Sequence, residues 1–483
     1  MQAAKQINVF IFRRDLRLFD NTALIDLINL SARNAQKILP IFIFNPDQID
    51  QTQNPYFGHK CVRFMLECLD ELAVDIKKLG GQLVYFNDNQ LTVLESISQQ
   101  YDINSVSFNM DVTPYAVKRD KEIVDWCAGR NISCTSSEDY TLYAMNEIKT
   151  KTKSIYQVFT PFRRECANFP VRKPVDIPAI PLFFLSPKDI KKELNNIPDI
   201  NHFAEKHEDE VALYGGRKVA LRILDKIEKG VYKNYEEERN SMAEEKTTQL
   251  AAYLKFGCIS AREFYYSILK AHNQSHTLMS QLHWREFYFH LTYGFPALLA
   301  SQVTANPNET LKSRMSDVNW KYNEEHWNLW CIGETGFPIV DAGMRQLNET
   351  GNMHNRARMI VSMFLTKNLH IDWREGEKYF ATKLIDYDPC QNNGGWQWSA
   401  STGVDTQPYR IFNCWLQAKR YDPNCEYIKR WVPELSKVPT SDLLKWDNEK
   451  VRNKYLKNNM YPPPIVEHAE SAAYAKDMLK GIH

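Results

Sequence analysis

The chain has 483 residues, too many for one hydrophobic core, and its 43% hydrophobic and 25% charged content exclude a disordered or fibrous protein. The net charge of +1 supplies no global basic footprint, so charge neither indicates nor excludes a nucleic-acid partner. No run of about 18 apolar residues is present to span a membrane, the start MQAAKQINVF has no signal-peptide core, and the ten cysteines form no CxxC pair; reduced thiols, no metal centre and an intracellular location, cytoplasmic or nuclear, are expected.

INVFIF (7–12) is a short apolar run that predicts a buried strand, and Asp20-Asn21 predicts the cap of a helix near Thr22–Leu27. Lys37–Phe44, Gln82–Phe86, Ser105–Asn109 and Ile132–Cys134 read as further strands. Between them, Gly58 to Leu79 carries Val62, Met65, Leu66, Leu69, Leu72 and Ala73 on one helical face, and Pro114 predicts the first residue of a helix through Trp126. This alternation predicts an α/β domain over residues 1–130, a doubly wound parallel sheet whose ligands lie at the carboxyl ends of its strands. Arg13, Arg14 and Arg17, taken alone, read as a solvated loop with salt bridges.

Over 131–212 the periodicity weakens, and Pro174, Pro178, Pro181, Pro187 and Pro198 break any long helix, which predicts a connector wrapped on the surface. From 213 to 483 helix-period patterns dominate, at Val219–Ile227, Ala261–Ala271, Leu278–Leu291, Ile339–Leu347, Met353–Leu365 and Glu375–Leu384, and an all-α C-terminal domain is expected. The tail after Leu435 is polar and short.

One stretch of the helical part, Asn352 to Trp398, concentrates polar and aromatic residues. Asn355 and Met359 lie four apart, on a different helical face from the apolar stripe of Met353, Ala357, Ile360 and Phe364. Two carboxylates, Asp386 and Asp388, follow on a turn. Asn392-Asn393-Gly394-Gly395 then reads as flexible backbone that a flat ligand can approach closely, and Trp396 and Trp398 close the stretch. Each residue alone is explained by an ordinary helix or capped turn; the combination is not.

The segments MHNRARM, LIDYD and NNGGWQW, together with FRRDLRLFDN (12–21), VFTPFR (158–163) and QLHWREFYFH (281–290), resemble the DNA photolyase/cryptochrome family, most of all photolyases that repair cyclobutane pyrimidine dimers. The resemblance implies FAD in the helical domain. Tyr235, Thr247, Thr248, Gln249 and Leu250 match positions on the phosphate side, although Ala251 stands where a Ser is usual. Gln281, Arg285, Asn355, Arg358, Asp386, Asp388 and Asn392 match positions around the cofactor: Arg358 pairing with Asp386, Asp388 accepting from the ring N3–H, and Asn392 meeting N5 as donor or acceptor. The implied reaction is light-driven electron transfer from reduced flavin to a flipped-out dimer. Trp284 and Trp398 match the stacking pair, with Asn355 and Met359 touching the lesion. Arg239, Arg356 and Arg410, again with Trp284 and Trp398, match DNA-contacting positions. Trp396, Trp373 and Trp320 match an electron-transfer chain to the surface. An antenna pigment, a folate or a deazaflavin, is expected in the α/β domain, with Asn109-Met110-Asp111 near one type of site. A monomer acting on dimer-containing DNA is expected, without membrane association.

Two departures matter. Gln281 stands where dimer-repairing relatives carry Glu, a feature usual in (6-4) photolyases and animal cryptochromes, and Asn352 replaces a common Trp. The (6-4) chemistry looks to need His at the positions of Met359 and Asn355, which this chain lacks. A signalling cryptochrome without repair activity is the alternative reading, and the short tail argues against it.

Overall fold

The computed structural model describes residues 6–179, 183–194, 213–299, 318–407, 409–456 and 461–480. The N-terminal part is built on strands β1 (Gln6–Phe12), β2 (Lys37–Ile43), β3 (Val84–Phe86), β4 (Asp102–Asn109) and β5 (Ser133–Ser137), in the order β3-β2-β1-β4-β5, with every pair parallel. Helices α1 (Thr22–Arg33), α2 (His59–Lys78), α3 (Gln90–Ser98) and α4 (Pro114–Ala128) connect them. A central parallel strand is covered on both faces, which is why β1 is apolar nearly throughout. Phe10 and Phe12 enter one core, and Ile7, Val9 and Ile11 enter another on the opposite face.

Local signals start these helices. Asn21 accepts from the Leu24 N–H, and Thr113 accepts from Ala116 with Pro114 in the first turn. The strand order reverses between β1 and β4, so their carboxyl ends open a crevice. The arginines that follow β1 are not a solvated loop. Arg17, 2% exposed, reaches Asp139 at 2.6 Å, and Arg262 reaches Asp139 and Asp20 at 2.7 Å each. Such charges go inside only because each has a partner. Burial pushes the Asp139 carboxyl up, but Arg17 and Arg262 outweigh it and hold it well below the usual carboxylate range.

The connector is also less superficial than its composition suggests. Tyr140, Leu142, Tyr143, Met145 and Ile148 are buried, and helix α5 (Phe159–Cys166) buries Phe159, Phe162 and Cys166. Phe159, Phe162 and Cys166 share one helical face, whereas the spacing of the buried residues over 140–148 follows no helix or strand period and their burial is decided by the elements they pack against. Pro181 and Pro198 lie outside the described residues.

The C-terminal part is helical. Helix α6 (Ala261–Ala271) starts in a capping box of Ser260 and Glu263. Helices α7 (Thr277–Gly294), α8 (Pro338–Thr350), α9 (Asn355–Lys367), α10 (Trp373–Lys383) and α11 (Pro389–Ala400) follow. Helix α9 begins at Asn355 rather than Met353, because the His354 ring nitrogen caps it by accepting from the Arg356 N–H. The Asn392–Gly395 stretch, expected as flexible backbone, is the middle of α11. Asp388 caps that helix, accepting from the Cys390 and Gln391 N–H groups at 3.0 and 3.2 Å, and Pro389 occupies its first turn. The glycine at 394 serves close approach: a Cβ there would stand 2.3 Å from the Tyr288 ring of α7. Among the described residues no helix is long and apolar enough to cross a membrane.

Candidate functional site

Helices α7, α9 and α11 and the segment 235–255 surround a cavity of about 760 Å³, within the range of roughly 300–1,000 Å³ common for ligand clefts. Most residues singled out in the sequence line it. Tyr235, Arg239, Thr247, Thr248, Gln249 and Leu250 come from the segment before α6; Gln281, Trp284 and Arg285 from α7; Asn355, Arg358 and Met359 from α9. Asp386, Asp388, Asn392, Trp396 and Trp398 come from α11 and the turn before it, and Arg410 lies beyond. Three named residues are not in the wall. Trp373 is buried and Trp320 half-buried in the aromatic core behind Trp396. Arg356 is half-buried beside the wall, donating to Asn240 Oδ1 at 2.7 Å and to the Met359 sulfur at 3.8 Å, with its guanidinium 4.0 Å from the Tyr421 ring centre.

The polar groups are held in place by their neighbours. Arg358 donates to Asp386 at 3.0 Å and to the Met353 carbonyl at 2.8 Å. Asp386 Oδ1 is buried and has no hydrogen-bond partner among the described residues. Arg14, at the end of β1, reaches across to Asp388 at 2.8 Å and holds Asp111 at 3.3 Å. Burial pushes the Asp388 carboxyl up, but Arg14, Lys255 and Arg285 more than offset this, and it stays below the usual range as an anion. Arg285 is anchored by donating to the Tyr140 carbonyl at 2.6 Å. Asn392 donates through Nδ2 to Glu377 of α10, to the backbone oxygen and to Oε1, both at 2.9 Å. The Thr247–Leu250 turn leads into the helix Ala251–Lys255, whose start has no side-chain cap, so its N–H groups are open to an acceptor.

The aromatic groups form panels. Trp284 stacks on Phe159 with centroids 3.7 Å apart and rings 7° from parallel, and Tyr288 lies 5.9 Å away. The Arg410 guanidinium sits 5.3 Å from the Trp398 ring centre. Behind the wall, Trp396 meets Trp330 at 6.2 Å, and Trp330 stacks on Trp327 at 5.4 Å.

Sequence reasoning missed Phe159, Tyr288, Arg14 and Glu377 as parts of this arrangement. Arg14 lay in a quoted motif, and Phe159 in another, but their reach across the chain leaves no local trace. Glu377 sits in the charged run EGEKYF, which reads as a solvated face.

A second cavity, of about 190 Å³, opens at the carboxyl ends of β1 and β4, lined among others by Arg13, Arg14, Asp111, Tyr115, Arg119 and Lys255. Asp111 of the Asn109-Met110-Asp111 segment faces it, whereas Asn109 is turned inward onto Asp15 and Asn21.

The main cavity therefore offers an anionic carboxylate, a guanidinium–carboxylate pair with a buried acceptor to spare, flat aromatic panels and an uncapped helix start. Fold and cavity define a protein with an α/β part and a helical part that takes a large, flat, phosphate-bearing cofactor into the helical part.

Two family models match: DNA photolyase over residues 8–192, and the FAD-binding domain of DNA photolyase over residues 277–481. The chain is 34% identical to a deoxyribodipyrimidine photo-lyase of Synechococcus over 475 residues, 95% of this chain and 93% of that protein. It is similar in structure to an archaeal photolyase from Sulfolobus tokodaii solved with two FAD molecules (TM-score 0.81, 34% identity, 98% of this chain and 99% of that one). It is also similar to a cryptochrome from Synechocystis (TM-score 0.86, 26% identity, 99% and 100%). The chain belongs to the DNA photolyase family, as an enzyme of the deoxyribodipyrimidine photo-lyase type, and its C-terminal half is that family's FAD-binding domain.

Proposed function

We propose that the protein repairs cyclobutane pyrimidine dimers in DNA with blue light, by electron transfer from reduced FAD to a flipped-out lesion. The observation that carries this reading is the single cavity whose wall holds both Asn392, Asp386 and Asp388 and the set Trp284, Trp398, Asn355 and Met359. One space thus has polar groups for a flavin ring and apolar panels for a flat, desolvated substrate. Bound FAD supplies the light absorption and the electron; the chain supplies placement and electrostatics.

In this reading Arg358, Asp386 and Asp388 hold the polar edge of the cofactor, and Tyr235, Gln281, Arg285 and the Thr247–Leu250 turn hold the rest of it. Trp284, braced by Phe159, and Trp398 stack against the dimer. Asn355 bonds the lesion's polar edge, and the Met359 thioether fills the gap between. A dimer inside a duplex cannot reach the cavity, so it enters flipped out. Arg239, Arg356 and Arg410 then meet the DNA backbone, where affinity is mainly electrostatic. Trp396, Trp373 and Trp320 return electrons from the surface. The second cavity takes the antenna, at the carboxyl ends of the strands, where ligands of such sheets bind.

The cryptochrome reading is favoured by one residue, Gln281, which faces the cavity without the ionisable group of a Glu. A repair assay separates the two. Protein with reduced flavin is mixed with an oligonucleotide carrying one cyclobutane thymine dimer and held in blue light or darkness. Thymines restored only in light support the photolyase. No repair by protein that binds and photoreduces FAD supports the cryptochrome, and repair of a (6-4) lesion instead would overturn both.

A further inference from the structure

We propose that Glu377 is a positioning residue of the flavin cavity: it turns the Asn392 amide oxygen toward the cofactor, and it takes up a proton from solvent when negative charge arrives there. This rests on reading the cavity as the FAD site.

The first half follows from hydrogen-bond chemistry. Asn392 Nδ2 donates to the backbone oxygen of Glu377 and to its Oε1, at 2.9 Å each. The nitrogen and oxygen of an amide are otherwise hard to tell apart. A backbone carbonyl, however, only accepts, so the atom facing it must be the nitrogen. Oδ1 is what Asn392 has left for the cavity it lines. Asn392, open in the sequence as donor or acceptor, is thereby an acceptor, complementary to a hydrogen-bond donor of the cofactor.

The second half follows from burial and charge. Glu377 is 2% exposed, and its Oε2 has no hydrogen-bond partner among the described residues. Burial pushes its carboxyl up to about 7, and the Asn392 amide and Tyr56 hydroxyl pull it back only in part. Tyr387, in the turn before α11, is the other titratable group facing it. No lysine or arginine of α2, α9 or α11 acts on it. A buried carboxyl without a counter-ion responds to any nearby negative charge by binding a proton more tightly. When a reductant delivers an electron to the cavity above neutral pH, a solvent proton adds to one Glu377 oxygen and forms an O–H bond; no other bond breaks. Tyr56 is half-buried and stacks near-parallel on Tyr387, so this side of Glu377 leads toward the surface.

The test is a spectroelectrochemical titration of the FAD-loaded protein at a series of pH values across neutrality, in wild type and Glu377→Gln. The Gln variant keeps an acceptor for Asn392 and loses only the ionisable proton. The wild-type midpoint potential is expected to show an extra pH-dependent segment near neutrality that E377Q lacks, at equal FAD content. Superposable curves in two FAD-bearing proteins would overturn proton uptake by Glu377 and leave the cavity assignment standing. Failure of wild type to bind FAD would overturn the cavity assignment itself. Infrared spectra of FAD-free wild type give a second check: a buried carboxylic acid band that titrates near neutrality and is missing in E377Q supports the proposal, and a band unchanged by the substitution contradicts it.

Discussion

Asp388 shows how much one side chain carries at this site. One oxygen caps α11, accepting from two backbone N–H groups, while the other takes Arg14 at 2.8 Å. The sequence expectation of a ring-facing acceptor and its bland alternative, a capped turn, therefore meet in one residue. Substitutions separate the two. Asn caps a helix about as well as Asp, so Asp388→Asn should keep the far-ultraviolet circular dichroism and lose the charge opposite Arg14. Reduced FAD content after purification is expected, read from the flavin-to-protein absorbance ratio. Asp388→Ala should add the loss of the cap, about 0.5–2 kcal/mol, as a lower urea midpoint. Full FAD content in the Asn variant would mean that the charge does not hold the cofactor.

At the scale of an element, α11 is a helix despite two adjacent glycines, each of which costs roughly 0.5–1 kcal/mol relative to Ala. Its cap, its first-turn proline and its packing against α7 outweigh that cost. The two glycines have different reasons to be there. A Cβ at Gly394 would strike Tyr288, whereas one at Gly395 meets nothing within 4 Å, yet Gly395 lines the cavity. Gly394→Ala is expected to destabilise the protein by about 1–3 kcal/mol through overpacking. Gly395→Ala is expected to stabilise the FAD-free chain by up to about 1 kcal/mol while weakening FAD binding. Thermal unfolding with and without added FAD measures both, and equal shifts in the two variants would refute the distinction.

Across the whole molecule, buried charge ties the two parts together and makes stability depend on pH. Arg262 on α6 bridges Asp20 and Asp139 of the N-terminal half. Elsewhere burial outweighs the partners: it pushes Glu286 up to about 7 despite Arg285 at 3.5 Å, Glu377 up to about 7 and Asp341 up to about 6. Where the folded value exceeds the unfolded one, near about 4, the folded state binds more protons in between. That contribution is fully present below about pH 4 and is lost as pH rises through about 7. The contribution of these three acids to the stability of the FAD-free protein should accordingly fall between about pH 5 and about pH 8, opposed at the acid end by buried His283, His290 and His354, which burial holds down to about 4. Glu286→Gln, which can still accept from the Leu142 N–H, should flatten that fall by an amount on the order of a few kcal/mol in unfolding free energy. A variant with the wild-type slope would show that Glu286 is not held neutral.

The elements that could be read directly from the residues are those whose cause lies within a few positions. The apolar run of β1, the Asp20-Asn21 cap, Pro114 at the start of α4, the face of α2 and the helix period of α6 are local statements, and the sheet-then-helices organisation follows from them. The motif segments likewise pointed to most of the cavity wall. What stayed hidden depended on partners far along the chain. Nothing near Arg14 announces Asp388, nothing near Phe159 announces Trp284, and the NNGG run looks flexible until Tyr288 packs against it. Glu377 looks like one more solvated acid until α10 and α11 close over it. Propensity, capping and periodicity act over one or two turns of chain, whereas burial, charge pairing and the orientation of an amide depend on which distant surfaces meet.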